Sequence, residues 1–221
     1  MAEKTGPKWE GKTSVELKGA TADQVWPFFE DFCNIHQWFP ILETCYQVEG
    51  EPGKPGLVRY CASKPKPSSD GTGGNIINWA KEKLIMINLV ERCLSYEVIE
   101  NNMGFNPYTA TFKVLPVNGD GAGDQKGCKI EWSFVCDPME GWKLEDINSS
   151  RNSILQFVAN KMEQALFRKV SSNDGLFDPT LTSPEYTNGS AYLARSAPGS
   201  LETGMLRLFT PSNWNRGTAR E

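Results

Sequence analysis

The sharpest constraint on the fold is a change of hydrophobic period near residue 140. Before it, Tyr108, Ala110, Phe112 and Val114 share one face of a strand while Thr109, Thr111 and Lys113 share the other. Cys128, Ile130, Trp132, Phe134 and Cys136 oppose Lys129, Glu131 and Ser133 in the same way. After Asp137-Pro-Met-Glu-Gly141, apolar residues recur at helical spacing (Leu144, Ile147, Ile154, Leu155, Val158, Met162, Ala165, Leu166), which predicts an amphipathic helix of about 28 residues. A half-buried strand has one apolar face to cover and such a helix has one apolar stripe to hide. Both needs are met if the sheet wraps the helix.

The upstream sequence supplies the rest of that sheet. Residues 8–18 alternate, with Trp9, Gly11, Thr13, Val15 and Leu17 on one face. Thr21-Ala-Asp-Gln24 has the form of a capping box, and Val25, Phe28, Phe29 and Phe32 continue at helical spacing, so a short helix is expected over 22–30. A second short helix or turn is expected through Asn34-Ile-His-Gln-Trp38, stopped by Pro40. Further strands are expected at 41–49, 56–63, 75–87, 93–101, 107–116 and 127–137, separated by glycine- and proline-rich turns. The expected fold class is α+β: a seven-stranded antiparallel sheet wrapped on a long C-terminal helix, with two short helices and an internal cavity. Residues 1–7 read as a flexible N-terminus, 8–170 as one domain, and 171–221 as a disordered tail, since the tail contains no Lys, Ile, Val or Cys.

Composition narrows the function. A net charge of -4 and the absence of a basic stripe argue against a nucleic-acid partner. The N-terminus has no apolar run, so no signal peptide or membrane span is expected, and the reading is a cytoplasmic protein with monomer as the default state. Six dispersed cysteines without CxxC spacing read as small buried hydrophobes. His36 is the only histidine, which makes neither a metal site nor a histidine-activated nucleophile, and no cofactor is implied.

Two charges stand out. Arg59 shares a strand face with Leu57 and Cys61, and Glu82 shares one with Ala80, Leu84 and Met86. Buried ions are costly unless paired and hydrogen-bonded, so the pair reads either as a cross-strand salt bridge on a solvated face, worth at most about 1 kcal/mol, or as part of a site for a polar ligand. Tyr108 is expected to face inward beside them. Phe39, Trp79, Tyr96, Val98, Phe112, Trp132 and Phe134 are the expected cavity lining.

The element order and the phrases Lys8-Trp-Glu-Gly-Lys12, Val58-Arg-Tyr60, Trp79-Ala-Lys-Glu-Lys-Leu84, Leu94-Ser-Tyr96, Tyr108-Thr-Ala-Thr111 and Glu131-Trp-Ser-Phe134 resemble the Bet v 1-like, START-type helix-grip superfamily of polyketide cyclases and lipid transporters. Within it they look most like plant lachrymatory-factor synthases. That resemblance implies a cofactor-free isomerase that turns a sulfenic acid into a sulfine, with Arg59 and Glu82 as its essential pair and Tyr108 as an added donor. The connector from Lys64 to Asn75 is longer than in the synthases, and Val98 stands where a tyrosine is expected; both changes bear on the substrate. The alternative is a non-catalytic binding or transport protein for a hydrophobic plant metabolite or lipid. Abscisic-acid receptors share the fold, but Glu43 replaces their hormone-binding lysine, Lys-Pro-Lys-Pro-Ser their gate and Asn101-Asn-Met-Gly-Phe105 their latch, and a carboxylate would repel the hormone.

Overall fold

The structure is a computed structural model that describes residues 7–67, 74–118 and 125–173. Residues 1–6, 68–73, 119–124 and 174–221 lie outside the described residues; the expected tail is among them except for 171–173, which are helical as the end of the last helix and so correct its expected start at 171. The elements run in the order β1 (Trp9–Lys18), α1 (Ala22–Val25), α2 (Pro27–Glu30), a 3-10 helix (Phe32–Gln37), β2 (Leu42–Glu49), β3 (Val58–Ser63), β4 (Lys66–Pro67), β5 (Asn75–Ile76), β6 (Trp79–Asn88), β7 (Cys93–Asn101), β8 (Tyr108–Asn118), β9 (Gln125–Cys136) and α3 (Leu144–Asn173). Seven strands form one antiparallel sheet in the order β1-β9-β8-β7-β6-β3-β2. This is the helix-grip α+β fold.

α3 lies against β1 at the end of the sheet, and the sequence shows why it can approach. A Cβ at Gly11 would collide with the Asn148 carboxamide and the Phe134 ring, so only glycine leaves room for the helix there. Two hydrogen bonds fix the contact: Thr13 Oγ1 to Asn152 Oδ1 at 2.8 Å and the Lys18 amide to Glu163 Oε1 at 2.9 Å. The α3 stripe meets the sheet through Ile147, Ile154, Leu155, Val158 and Met162, all fully buried. Strand parity delivers the opposing layer, since Ala110, Phe112, Val114, Ile130, Trp132 and Phe134 all point into the core.

Three local expectations are corrected. The helix over 22–30 is two helices, because Pro27 has no amide hydrogen to continue the first one and instead begins the second. The Thr21–Gln24 capping box is present in both directions. The strand over 75–87 is broken: Asn75–Ile76 pairs with Lys66–Pro67 in a separate two-stranded ribbon, and the main strand starts at Trp79. Met86 does not share the face of Glu82. The register shifts between Leu84 and Met86, which turns Ile85 and Met86 outward and returns Ile87 to the core.

Candidate functional site

The sheet register assembles the site. Arg59 on β3 is the Cα partner of Glu82 on β6, Glu82 that of Val98 on β7, and Val98 that of Tyr108 on β8, so four residues stand in one row across four neighbouring strands. All four line a cavity of about 110 Å³. Its walls also include Phe39, Trp79, Tyr96, Phe112 and Trp132 from the expected lining. Phe134 is not among the lining residues. It stacks behind Tyr108 with ring centroids 5.7 Å apart and planes within 10°, backing the wall from the α3 side.

Arg59 is 3% exposed, which removes the solvated-face reading of its ion pair. Its Nε donates to Glu82 Oε2 at 2.7 Å, its Nη2 stands 2.6 Å from the same oxygen, and its Nη1 donates to the Phe32 carbonyl at 2.5 Å. The guanidinium also lies 3.7 Å over the Phe32 ring. Burial is the largest single influence and opposes its charge, but the Glu82 carboxylate together with Cys61, Cys45 and Tyr96 outweighs it, and Arg59 is held above its ordinary range. The Cys61 thiol adds a long contact to Glu82 Oε2 at 3.9 Å and donates to Cys45 Sγ at 3.3 Å; the Cys45 contact and then burial push the Cys61 thiol up. Among the described residues, every hydrogen bond to the Glu82 carboxylate thus falls on Oε2. Among the described residues, nothing donates to Oε1 of this cavity-lining carboxylate.

The phenols are neutral donors. Burial pushes Tyr96 well above the usual phenol value, and burial raises Tyr108 as well despite the opposing pull of Arg151. The Tyr108 hydroxyl accepts from Arg151 Nε at 3.2 Å, which leaves its own proton to donate. The rest of the wall is an aromatic stack: Phe112 lies on Trp132 at 4.9 Å, Phe39 meets Trp132 edge-on at 5.8 Å, and Tyr96 lies parallel to Phe112 at 6.4 Å.

Arg151 was not foreseen in the sequence, although a signal was there. It falls four residues after Ile147 and three before Ile154, on the buried stripe of α3, where a charge is as anomalous as on an apolar strand face. Glu43 is corrected in turn: it sits at an irregularity of β2 and is exposed, so it does not meet a cavity ligand, and Cys45 is the β2 residue buried there. His36 lies on the 3-10 helix, partly buried, with its Nδ1 unpartnered. All six cysteines are free, and among the described residues no group of three or more His, Cys, Asp or Glu could hold a metal. Among the described residues no helix is long and apolar enough to cross a membrane.

A seven-stranded antiparallel sheet wrapped on one helix, with a buried ion pair facing an aromatic-lined cavity, defines a helix-grip cavity protein. The chain belongs to the polyketide cyclase / dehydrase and lipid transport family, whose model matches residues 8–166. Solved structures of the same fold include the ginseng major latex-like protein 151 from Panax ginseng, at 19% identity and a TM-score of 0.55 over 72% of this chain and 98% of that one. A protein from Thermobifida fusca matches at 21% identity and TM-score 0.53 over 70% and 93% of the two chains. The XoxI protein from Bacillus cereus matches at 21% identity and TM-score 0.52 over 73% and 97%.

Proposed function

We propose that this small-molecule-binding protein is a cofactor-free isomerase that moves a proton from oxygen to carbon, as in the rearrangement of an alkenylsulfenic acid to a sulfine. The observation that carries the reading is the one-sided fixing of Glu82. Oε2 is held by Arg59, while Oε1 has no partner in the cavity wall and is available as a base. In the step, Oε1 takes the S–O–H proton, and the O–H electron pair becomes the second S–O bond. A sulfur lone pair closes the C=S bond as the vinyl π pair takes the proton that Glu82 returns to the distal vinyl carbon. Atoms and charge balance without an oxidant or cofactor.

The donors match the charge that develops. Each terminal nitrogen of Arg59 commits one N–H to Glu82 or Phe32 and keeps a second, and the Tyr108 hydroxyl proton is uncommitted. These groups favour negative charge on the substrate oxygen. Size favours a small substrate over a lipid cargo: an apolar cavity of about 150 Å³ holds benzene. At about 110 Å³ this one suits a ligand of four to six heavy atoms, to order of magnitude. Val98, between Glu82 and Tyr108 in the row, leaves the space that a tyrosine would fill. The test is turnover of an alkenylsulfenic acid generated in place by an alliinase from cysteine sulfoxides. Rearrangement above the uncatalysed background is expected; binding without turnover would make the protein a carrier.

A further inference from the structure

Arg59 and Arg151 line the same cavity, yet only one has a counter-ion. Arg151 is 9% exposed. Among the described residues its one hydrogen-bond partner is the Tyr108 hydroxyl, engaged by Nε, and no carboxylate stands within ion-pair distance. A guanidinium has five N–H donors, so the four on the terminal nitrogens are unaccounted for. Those nitrogens are not among the sealed, unpartnered atoms of the core, and the residue belongs to the cavity wall. The guanidinium lies 4.7 Å over the Trp132 ring, 5.5 Å over Tyr108 and 5.8 Å over Phe105. Aromatic faces soften the desolvation of a buried cation, but they do not satisfy its donors. Trp132, in the same wall, also keeps a buried indole N–H with no partner. The cavity wall thus sets two arginines, Arg59 and Arg151, beside one carboxylate, Glu82, inside a chain whose net charge is -4.

We propose that Arg151, with Tyr108 beside it, forms an anion subsite, so that the ligand carries a carboxylate or comparable anionic group in addition to the group handled by Arg59 and Glu82. The inference rests on the cavity reading above for its location, not for its chemistry. A plain alkenylsulfenic acid fills the reacting half and leaves Arg151 without a counter-ion. It is turned over but held weakly, whereas a congener with a carboxylate at its far end satisfies both halves. A charge-assisted, bidentate contact from a buried guanidinium is strong enough to dominate the affinity of so small a ligand.

The test is a titration with sodium crotonate and with crotonamide, followed by tryptophan fluorescence at constant ionic strength. The wild type is expected to bind crotonate at least about tenfold more tightly than the amide, the ratio expected of a hydrogen bond to a charged group. Arg151→Gln should bring the two affinities together, and Arg151→Lys should keep part of the preference. Glu82→Gln, which removes the proposed base, should retain it. If Arg151→Gln does not fold, the wild-type ratio and Arg151→Lys decide. Equal affinities in the wild type, no crotonate binding up to about 10 mM, or a preference that survives Arg151→Gln would each overturn the subsite. None of these bears on turnover, so a failed sulfenic-acid assay with an intact crotonate preference would reject the isomerase and leave the subsite standing.

Discussion

Glu82 and Glu131 are almost equally shielded carboxylates, at 15% and 13% side-chain exposure, and each is paired with cations on its own or an adjacent strand, yet the two sites have opposite character. Glu131 on β9 accepts from Lys12 at 2.8 Å and Lys129 at 2.9 Å, and those lysine side chains are 58% and 34% exposed. Glu82 meets an arginine whose side chain is 4% exposed, stacked on an aromatic ring and held by a backbone carbonyl. The shielding of a carboxylate therefore does not identify a site. What distinguishes the two is the face of the sheet, and with it whether the cation can relax into water when its partner is lost.

That comparison can be broken first at Arg59. Arg59→Met leaves Glu82 in the cavity wall with no cation, and urea unfolding should show a loss of about 3–5 kcal/mol. The double variant Arg59→Met, Glu82→Leu should recover most of that loss, because two apolar residues of similar volume replace a buried pair at little net cost. A double variant no better than the single one would mean that the pair is held by something other than its desolvation balance.

The buried phenols set a smaller, pH-dependent effect. Tyr96 and Tyr108 have folded pKa values raised above 10.0, so the folded state holds protons that the unfolded state releases above that pH. Their contribution is fully present below pH 10 and is lost as pH rises toward the folded values, with a slope of at most about 1.4 kcal/mol per pH unit for each. Alkaline unfolding of Tyr96→Phe should be flatter than that of the wild type.

The smallest effect belongs to the outer face. Contacts from Lys12, then Lys129, lower Glu131 below its ordinary 4.5, so its stabilisation is present above that pH and fades as pH falls through the folded value. Glu131→Gln should cost no more than about 1 kcal/mol at pH 7 and should vanish as a difference in strong acid. A loss as large as that of Arg59→Met would erase the distinction between the two faces.

Most of this architecture was legible because strand parity and helix period are geometric consequences of the chain. They gave the sheet, the long helix, and Arg59, Glu82 and Tyr108 as inward-facing residues. Parity fails where a residue is inserted: the bulge after Leu84 turned Met86 outward, and the irregularity at Glu43 put that residue in solvent. It also cannot separate the rim of a cavity from the layer behind it, which is why Phe134 proved to be the backing of Tyr108. Arg151 escaped because charges were sought on strands at period two and not on the helix at period 3.6, where Ile147 and Ile154 frame it.

The central claim is that Oε1 of Glu82 moves the substrate proton. The direct measurement is the sulfine yield of wild type and Glu82→Gln in the alliinase-coupled reaction, with ligand binding followed in parallel. Wild-type turnover that falls by about a hundredfold or more in Glu82→Gln, with binding retained, is the predicted result. Turnover that persists in Glu82→Gln, or a wild type that binds and never rearranges the sulfenic acid, would contradict it.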